Sequence, residues 1–176
     1  MRFSFYTVDP SYCNFLRQFD SRVPHTMDKK SSRPFVGIIF SIMDFKYYAP
    51  LTSPKPKHLH MSNQIDFLKI NNGIWGAINF NNMIPVNDFS IKEISMRIDE
   101  DDTQDVVMYK QLLMNQLSWC NSHRDSILKQ AEKLYNLIVN DKAWKSLSDR
   151  CCNFSEDEKR CKEYSFKYRI TDSGER

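Results

Sequence analysis

The sequence predicts a mixed α+β fold: a small, strongly bent antiparallel sheet or barrel with helices added to it. Three observations carry this. Short apolar runs broken by sharp turn signals fill residues 1–98. Two long stretches with apolar residues three and four apart fill residues 103–139. Between them lies the acidic segment Asp99-Glu100-Asp101-Asp102. A run of short strands followed by a run of helices is the pattern of an α+β domain. We read 1–164 as one domain, with a β-rich part at about 1–98, a helical part at about 103–164, and a loose polar tail at 165–176.

Residues 3–8 form the first strand. Asp9-Pro10-Ser11 starts a helix, because Asp9 or Ser11 can cap and proline is tolerated in a first turn. That helix runs to about Phe19, with Tyr12, Phe15, Leu16 and Phe19 on one face. Tyr12 sits at the helix start, where its hydroxyl is expected near the surface. Residues 22–34 are a polar loop with three cations, Lys29, Lys30 and Arg33. Loops of this length in compact domains often carry function.

Residues 35–43 are a buried strand, and 46–50 return as its hairpin partner. The chain then enters Leu51-Thr52-Ser53-Pro54-Lys55-Pro56-Lys57-His58-Leu59-His60. Pro54 and Pro56 fix φ and bias Ser53 and Lys55 toward extended backbone. From Thr52 to His58, two hydroxyls, two ammonium groups and an imidazole therefore stand on a stiff loop. This arrangement suits a phosphodiester, since cations bind phosphate and meet transition-state charge. The same residues also fit a proline-stiffened surface loop with solvated lysines. A second hairpin follows, 67–70 and 74–80 around Asn71-Asn72-Gly73, then an Asn81-Asn82 turn and a strand at 83–86.

Asp102 or Thr103 can cap a helix at about 105–120. Ser122 with Asp125 reads as a capping box for a second helix to about 139. Residues 142–147 add a helical turn. Ser155 with Glu158 starts a short charged helix to about 163.

The composition excludes several chemistries. With 41% hydrophobic and 13% aromatic residues the chain is globular. No apolar run approaches the roughly 18 residues that span a bilayer, and no signal peptide is evident, so a cytosolic protein is expected. The five cysteines (Cys13, Cys120, Cys151, Cys152, Cys161) form no C-x-x-C pair and read as free thiols. Phosphate-binding glycine motifs are absent and glycines number only four, so no nucleotide cofactor is expected. His58-x-His60 with Asp66 has metal-ligand spacing, but exposed imidazoles are the simpler reading, and no metal is expected. A G-x-S-x-G elbow is also missing.

From residue 1 to 80 there are ten Lys and Arg against five Asp and Glu. Cations interleaved with Tyr, Phe and His are the footprint of a polyanionic partner, with rings available to stack on bases. Metal-free phosphodiester cleavage by a ribose 2′-hydroxyl fits what remains, because RNA brings its own nucleophile.

Several segments then converge on one family. Phe5-Tyr6-Thr7 with Tyr12, Phe35-Val36-Gly37-Ile38, Tyr48-Ala49-Pro50-Leu51-Thr52-Ser53-Pro54-Lys55 and Ile78-Asn79-Phe80 to Met83-Ile84-Pro85 occur in order. Tyr109-Lys110-Gln111-Leu112 and Cys152-Asn153-Phe154 follow. Together they resemble the ToxN/AbiQ endoribonuclease toxins of type III toxin–antitoxin systems over most of the chain. The A-P-L-T-S-P-K segment is the most specific part.

The resemblance implies an SH3-like barrel with added helices, similar to the MazF and Kid toxins. It implies sequence-specific, metal-independent RNA cleavage leaving 2′,3′-cyclic phosphate and 5′-hydroxyl ends. It also implies a repeat antitoxin RNA, folded as a pseudoknot, that the toxin processes and that inhibits it in a closed toxin–RNA assembly. The setting implied is the bacterial cytoplasm, where such systems abort phage infection or maintain plasmids. Cellular or phage mRNA is the implied substrate. Carried over by position, Tyr12, Arg33, Thr52, Ser53 and Lys55 are the expected catalytic set, with Arg33 and Lys55 on the phosphate. Relatives often carry lysine at the place of Arg33, and a guanidinium does not exchange protons readily. Lys29, Lys30, Lys57, His58 and Phe80 are expected RNA contacts. Two other functions share parts of this pattern: a non-catalytic RNA-binding module and an SH3-like protein-interaction domain.

Overall fold

A computed structural model describes residues 2–25, 34–42 and 44–173. Lys29, Lys30 and Arg33 lie outside the described residues.

The first half builds one antiparallel sheet from β1 (Ser4–Val8), β2 (Phe35–Ile42), β3 (Phe45–Thr52), β4 (Phe67–Lys69), β5 (Ala77–Asn79), β6 (Ile84–Val86) and β7 (Ile91–Glu93). The order is β4-β5-β3-β2-β1-β7, with β6 also paired to β3. β3 is the axis. β2 lines one edge, while the other edge pairs with β6 at residues 46–48 and with β5 at residues 51–52. Two short strands thus lie end to end along one edge of β3. β4 and β7 form the outer edges, and no pairing joins them among the described residues, so the sheet stays open.

α1 (Pro10–Arg17) begins as the sequence predicts: Asp9 Oδ1 accepts from the Ser11 N–H at 2.8 Å, with Pro10 in the first turn. The second half forms α3 (Gln104–Ser122), α4 (Arg124–Val139), the short α5 (Lys145–Ser148) and α6 (Phe154–Ser173). The break between α3 and α4 falls at His123 as expected. Ser122 does not cap α4, because its hydroxyl is spent on the Trp119 carbonyl at 2.8 Å. Asn153, not Ser155, stands before α6 and accepts from the Glu156 N–H at 3.2 Å. α6 also runs on to Ser173, where a loose tail was expected. Glu163 pairs with both Arg160 and Lys167 at helical spacing, which supports the extension.

The core lies between the sheet and α4 and α6. Phe40, Tyr47, Tyr135 and Phe154 form one aromatic cluster with centroids 4.8–5.9 Å apart. Such pairs contribute about 0.5–1.5 kcal/mol each beyond area burial. Glu158 is drawn to the edge of this cluster by two donors, the Tyr47 and Tyr135 hydroxyls, both at 2.8 Å. All five cysteines are free and buried, as expected for thiols that pack rather than react. Burial pushes Cys120 up to about 12.

Candidate active site

The loop of interest leaves the sheet where the β3–β5 ladder ends. Leu51 faces Ile78 and Thr52 faces Ala77. On the other edge the Leu51 N–H donates to the Pro34 carbonyl at 2.8 Å. Leu51 is buried, Thr52 half-buried, and Ser53, Pro54 and Lys55 are exposed. Lys55 has extended backbone, φ −140° and ψ 145°, which the flanking prolines favour. No described residue hydrogen-bonds to the side chains of Thr52, Ser53 or Lys55. Two hydroxyls and an ammonium thus stand free on backbone that is pinned at its base.

Residues 70–76 buttress this loop. The Ile70 N–H donates to the Gly76 carbonyl at 2.9 Å, closing the turn. Gly73 and Gly76 both have positive φ, 93° and 94°. A Cβ on Gly76 would lie 2.1 Å from the Thr52 carbonyl oxygen, and one on Gly73 would lie 2.6 Å from the His58 carbonyl oxygen. The turn therefore touches the loop backbone at both ends, and only glycine permits that approach. Gln116 of α3 secures the turn, donating from Nε2 to the Trp75 carbonyl at 2.6 Å. From sequence only Gly73 reads as a turn residue, and Gly76 falls inside the expected 74–80 strand; the approach of both glycines to the Thr-Ser-Pro-Lys loop carries no local signature.

The structure divides the expected site residues. Thr52, Ser53 and Lys55 come together, with Lys57 exposed beside them on α2 (Pro56–His60). The segment 52–60 contains no carboxylate, so its field is positive. Arg33 lies outside the described residues, immediately before Pro34, whose carbonyl holds Leu51.

Tyr12 is a correction. It is fully buried, and its hydroxyl donates to the Pro85 carbonyl at 2.6 Å. Pro85 faces Tyr47 across the β3–β6 ladder. That is five residues before Thr52, about 17 Å along a strand. Burial, with Cys161 and Asp157 nearby, holds its phenol well above the ordinary range. Tyr12 packs against Tyr164 and belongs to the core.

His58 and Phe80 are corrected likewise. The chain forms a helical turn from Pro56, so His58 faces inward, 1% exposed, with its ring against Phe67. Burial, then Lys55 and Lys57, lower its pKa, and the imidazole is neutral near pH 7. Phe80 is fully buried in the Phe80–Asn82 turn. Neither presents a face to RNA.

The His58, His60 and Asp66 grouping does not assemble either. Asp66 is taken by Arg150 through two bonds, Nε–Oδ2 at 2.5 Å and Nη2–Oδ1 at 3.0 Å. Among the described residues one cluster has metal-ligand spacing: Asp20, Cys152 and Asp157, all buried, with ligand atoms within 4.8 Å. Arg22 already neutralises Asp20 at 2.8 Å. Burial, then Asp20, raises Asp157 to about 8, and burial raises Cys152 well above its ordinary range. The acid and the thiol both keep their protons at neutral pH, which opposes a cation.

The chain is similar to known proteins over most of its length. The family described as toxin ToxN of type III toxin–antitoxin systems matches residues 4–162. An endoribonuclease ToxN from Bacillus thuringiensis subsp. kurstaki is 31% identical over 164 residues, covering 91% of this chain and 83% of that protein. A solved structure of a toxin selectively inhibited by a non-coding RNA pseudoknot superposes with a TM-score of 0.76 at 29% identity, covering 94% of this chain and 99% of that one. Another, from a bacterial antiviral system regulated by a processed non-coding RNA, gives 0.75 at 29% identity, covering 93% and 98%.

Proposed function

The chain belongs to the ToxN family of type III toxin–antitoxin toxins, and from that premise we propose that it is a metal-independent, sequence-specific endoribonuclease held in check by an antitoxin RNA. The observation that carries this reading is the surface Thr52-Ser53-Pro54-Lys55 loop, whose hydroxyls and ammonium have no hydrogen-bond partner among the described residues and whose backbone is fixed by β3 and the glycine turn. Lys55 and Arg33 bind the scissile phosphate, Arg33 being adjacent in the chain to Pro34 at the base of the loop. Thr52 and Ser53 donate to the phosphate oxygens or orient the ribose 2′-hydroxyl. The 2′-oxygen then bonds to phosphorus as the bond to the 5′-oxygen breaks. One proton leaves the 2′-oxygen and one reaches the 5′-oxygen, giving a 2′,3′-cyclic phosphate and a 5′-hydroxyl. Cations meeting the charge on the phosphorane supply the stabilisation.

The partner follows from the family. A repeat antitoxin RNA folded as a pseudoknot is cut by the toxin and then retained, closing into a toxin–RNA assembly that blocks the loop. Release exposes cellular or phage mRNA in the bacterial cytoplasm and aborts infection or enforces plasmid maintenance. We also read the bent sheet, with β3 shared by β5 and β6, as an SH3-like core of the MazF and Kid kind left open at its outer edges.

Incubating antitoxin-free protein with a long RNA in EDTA, followed by end-group analysis, tests the chemistry. Cyclic phosphate and 5′-hydroxyl ends are expected. Intact RNA with tight binding retained would replace this reading with a non-catalytic RNA-binding module.

A further inference from the structure

We infer that a second site beside the loop binds one nucleobase of the RNA flanking the scissile phosphate and sets sequence preference there. The inference rests on the ribonuclease reading.

The site is a cavity of about 300 Å³ lined by residues of β4, the 70–76 turn and the α3–α4 break. That volume is at the small end of the roughly 300–1,000 Å³ of ligand pockets, the scale of a single base. One wall is aromatic: Trp119 and His123 stack with centroids 4.0 Å apart and planes 15° from parallel. His123 Nδ1 lies 2.9 Å from the Trp119 carbonyl oxygen, which holds the ring in place. Flat aromatic walls are platforms on which unstacked RNA bases sit.

The rest of the lining supplies amides and a cation. Asn71 and Asn72 both have left-handed backbone, φ 47° and 55°, and no described residue hydrogen-bonds to either side-chain amide. Asn63 uses its Oδ1 to hold the Lys69 N–H at 2.8 Å. An amide carries a donor and an acceptor side by side, the complement of a base edge.

The sheet register ties this cavity to the loop. Thr52 faces Ala77, and Ala77 faces Lys69. Residues in one row across a sheet point to the same face. Lys69 therefore stands on the same face as Thr52, two strand spacings or about 10 Å away. The strand of RNA crossing Thr52 passes Lys69 and reaches the aromatic wall. The same turn positions both sites, through Gly73 and Gly76 on one side and Asn71 and Asn72 on the other.

The test is sequencing of cleavage ends from a random-sequence RNA pool cut by the full chain. Wild type is compared with the double variant Asn71→Gly/Asn72→Gly, which removes both amides while keeping residues that accept positive φ. At one flanking position the base preference should fall by about tenfold to a hundredfold, the range of a lost bidentate base contact. Cleavage of RNAs that lack the preferred base should change little. Lys69→Gln serves as a second variant and should weaken the same preference. An unchanged preference in both variants overturns the base site and leaves the ribonuclease reading standing. Wild-type protein that cuts no RNA overturns both.

Discussion

The two ends of β3 make opposite use of one strand. At the end from Phe45 to Leu51 the chain is paired on both edges and, Lys46 apart, buried. Tyr47 is fully buried and spends its hydroxyl on Glu158. Beyond Thr52 the ladder ends, and among the described residues none hydrogen-bonds to the side chains of Thr52, Ser53 or Lys55. The first end is held by its own side chains, whereas the second is held by its backbone, which glycines touch from behind. A site that must offer unspent hydroxyls and cations has to take its rigidity from somewhere other than its side chains, and the sheet and the glycine turn supply it. Changes at the first end should therefore register as stability, and changes at the second as rate.

Substitutions sharpen or break that contrast. Ser53 apart, the largest effect is expected for Lys55→Ala, which removes a cation from the phosphate. Cleavage should fall by about a hundredfold, and the melting transition should stay in place because the side chain is exposed. A fall in melting temperature that accounted for the lost activity would break the contrast. Gly76→Ala comes next. It forces a Cβ against the Thr52 carbonyl at a φ that L residues avoid, at a strain of order 1–3 kcal/mol. Cleavage per folded molecule should drop at least tenfold as the loop shifts, measured by single-turnover rates beside a thermal melt.

Behind the first end, Asp157 gives a pH signature. Its carboxyl is raised from 3.8 to about 8, mainly by burial, and neither oxygen has a hydrogen-bond partner. Below pH 4 the acid is protonated whether the chain is folded or not. Between pH 4 and 8 it is ionised only in the unfolded chain, so stability falls as pH rises, by up to about 1.4 kcal/mol per pH unit. Above pH 8 the loss is level. Asp157→Asn should thus melt higher than wild type by a margin that widens from pH 4 to 8. Parallel melting curves at all pH values would contradict it. The smallest effect is expected for Tyr47→Phe. It deletes one of two donors to Glu158 at a cost of about 1.5–3 kcal/mol, with cleavage per folded molecule unchanged.

Much of the second end was legible in the sequence, because prolines and the absence of apolar periodicity report directly on local backbone. The hairpin of β2 and β3 and the exposed loop that follows Thr52 came from that. What failed depended on distant contacts. Tyr12 sits at a helix start, but whether its hydroxyl meets solvent or Pro85 is decided by a strand 73 residues away. His58 was placed in an exposed loop because a single helical turn is too short to show a period. The 74–80 strand shrank to Ala77–Asn79 because Gly76 belongs to the turn. β7, at Ile91–Glu93, escaped notice, since an exposed edge strand of three residues has no apolar alternation to read. The helical half was legible by its spacing, its caps only in part: of the two candidates for α3, Thr103 stands at the N-cap without a side-chain cap bond, and Asp102 binds Lys110 at 2.6 Å.

The most direct measurement compares cleavage of one RNA in EDTA by wild type and by Ser53→Ala. Ser53 is exposed and its side chain has no hydrogen-bond partner among the described residues, so its loss leaves the fold intact. The account predicts at least about a hundredfold slower cleavage with RNA affinity within a few fold and an unchanged melting transition. Equal rates for the two proteins would contradict it and remove the end of β3 from the chemistry.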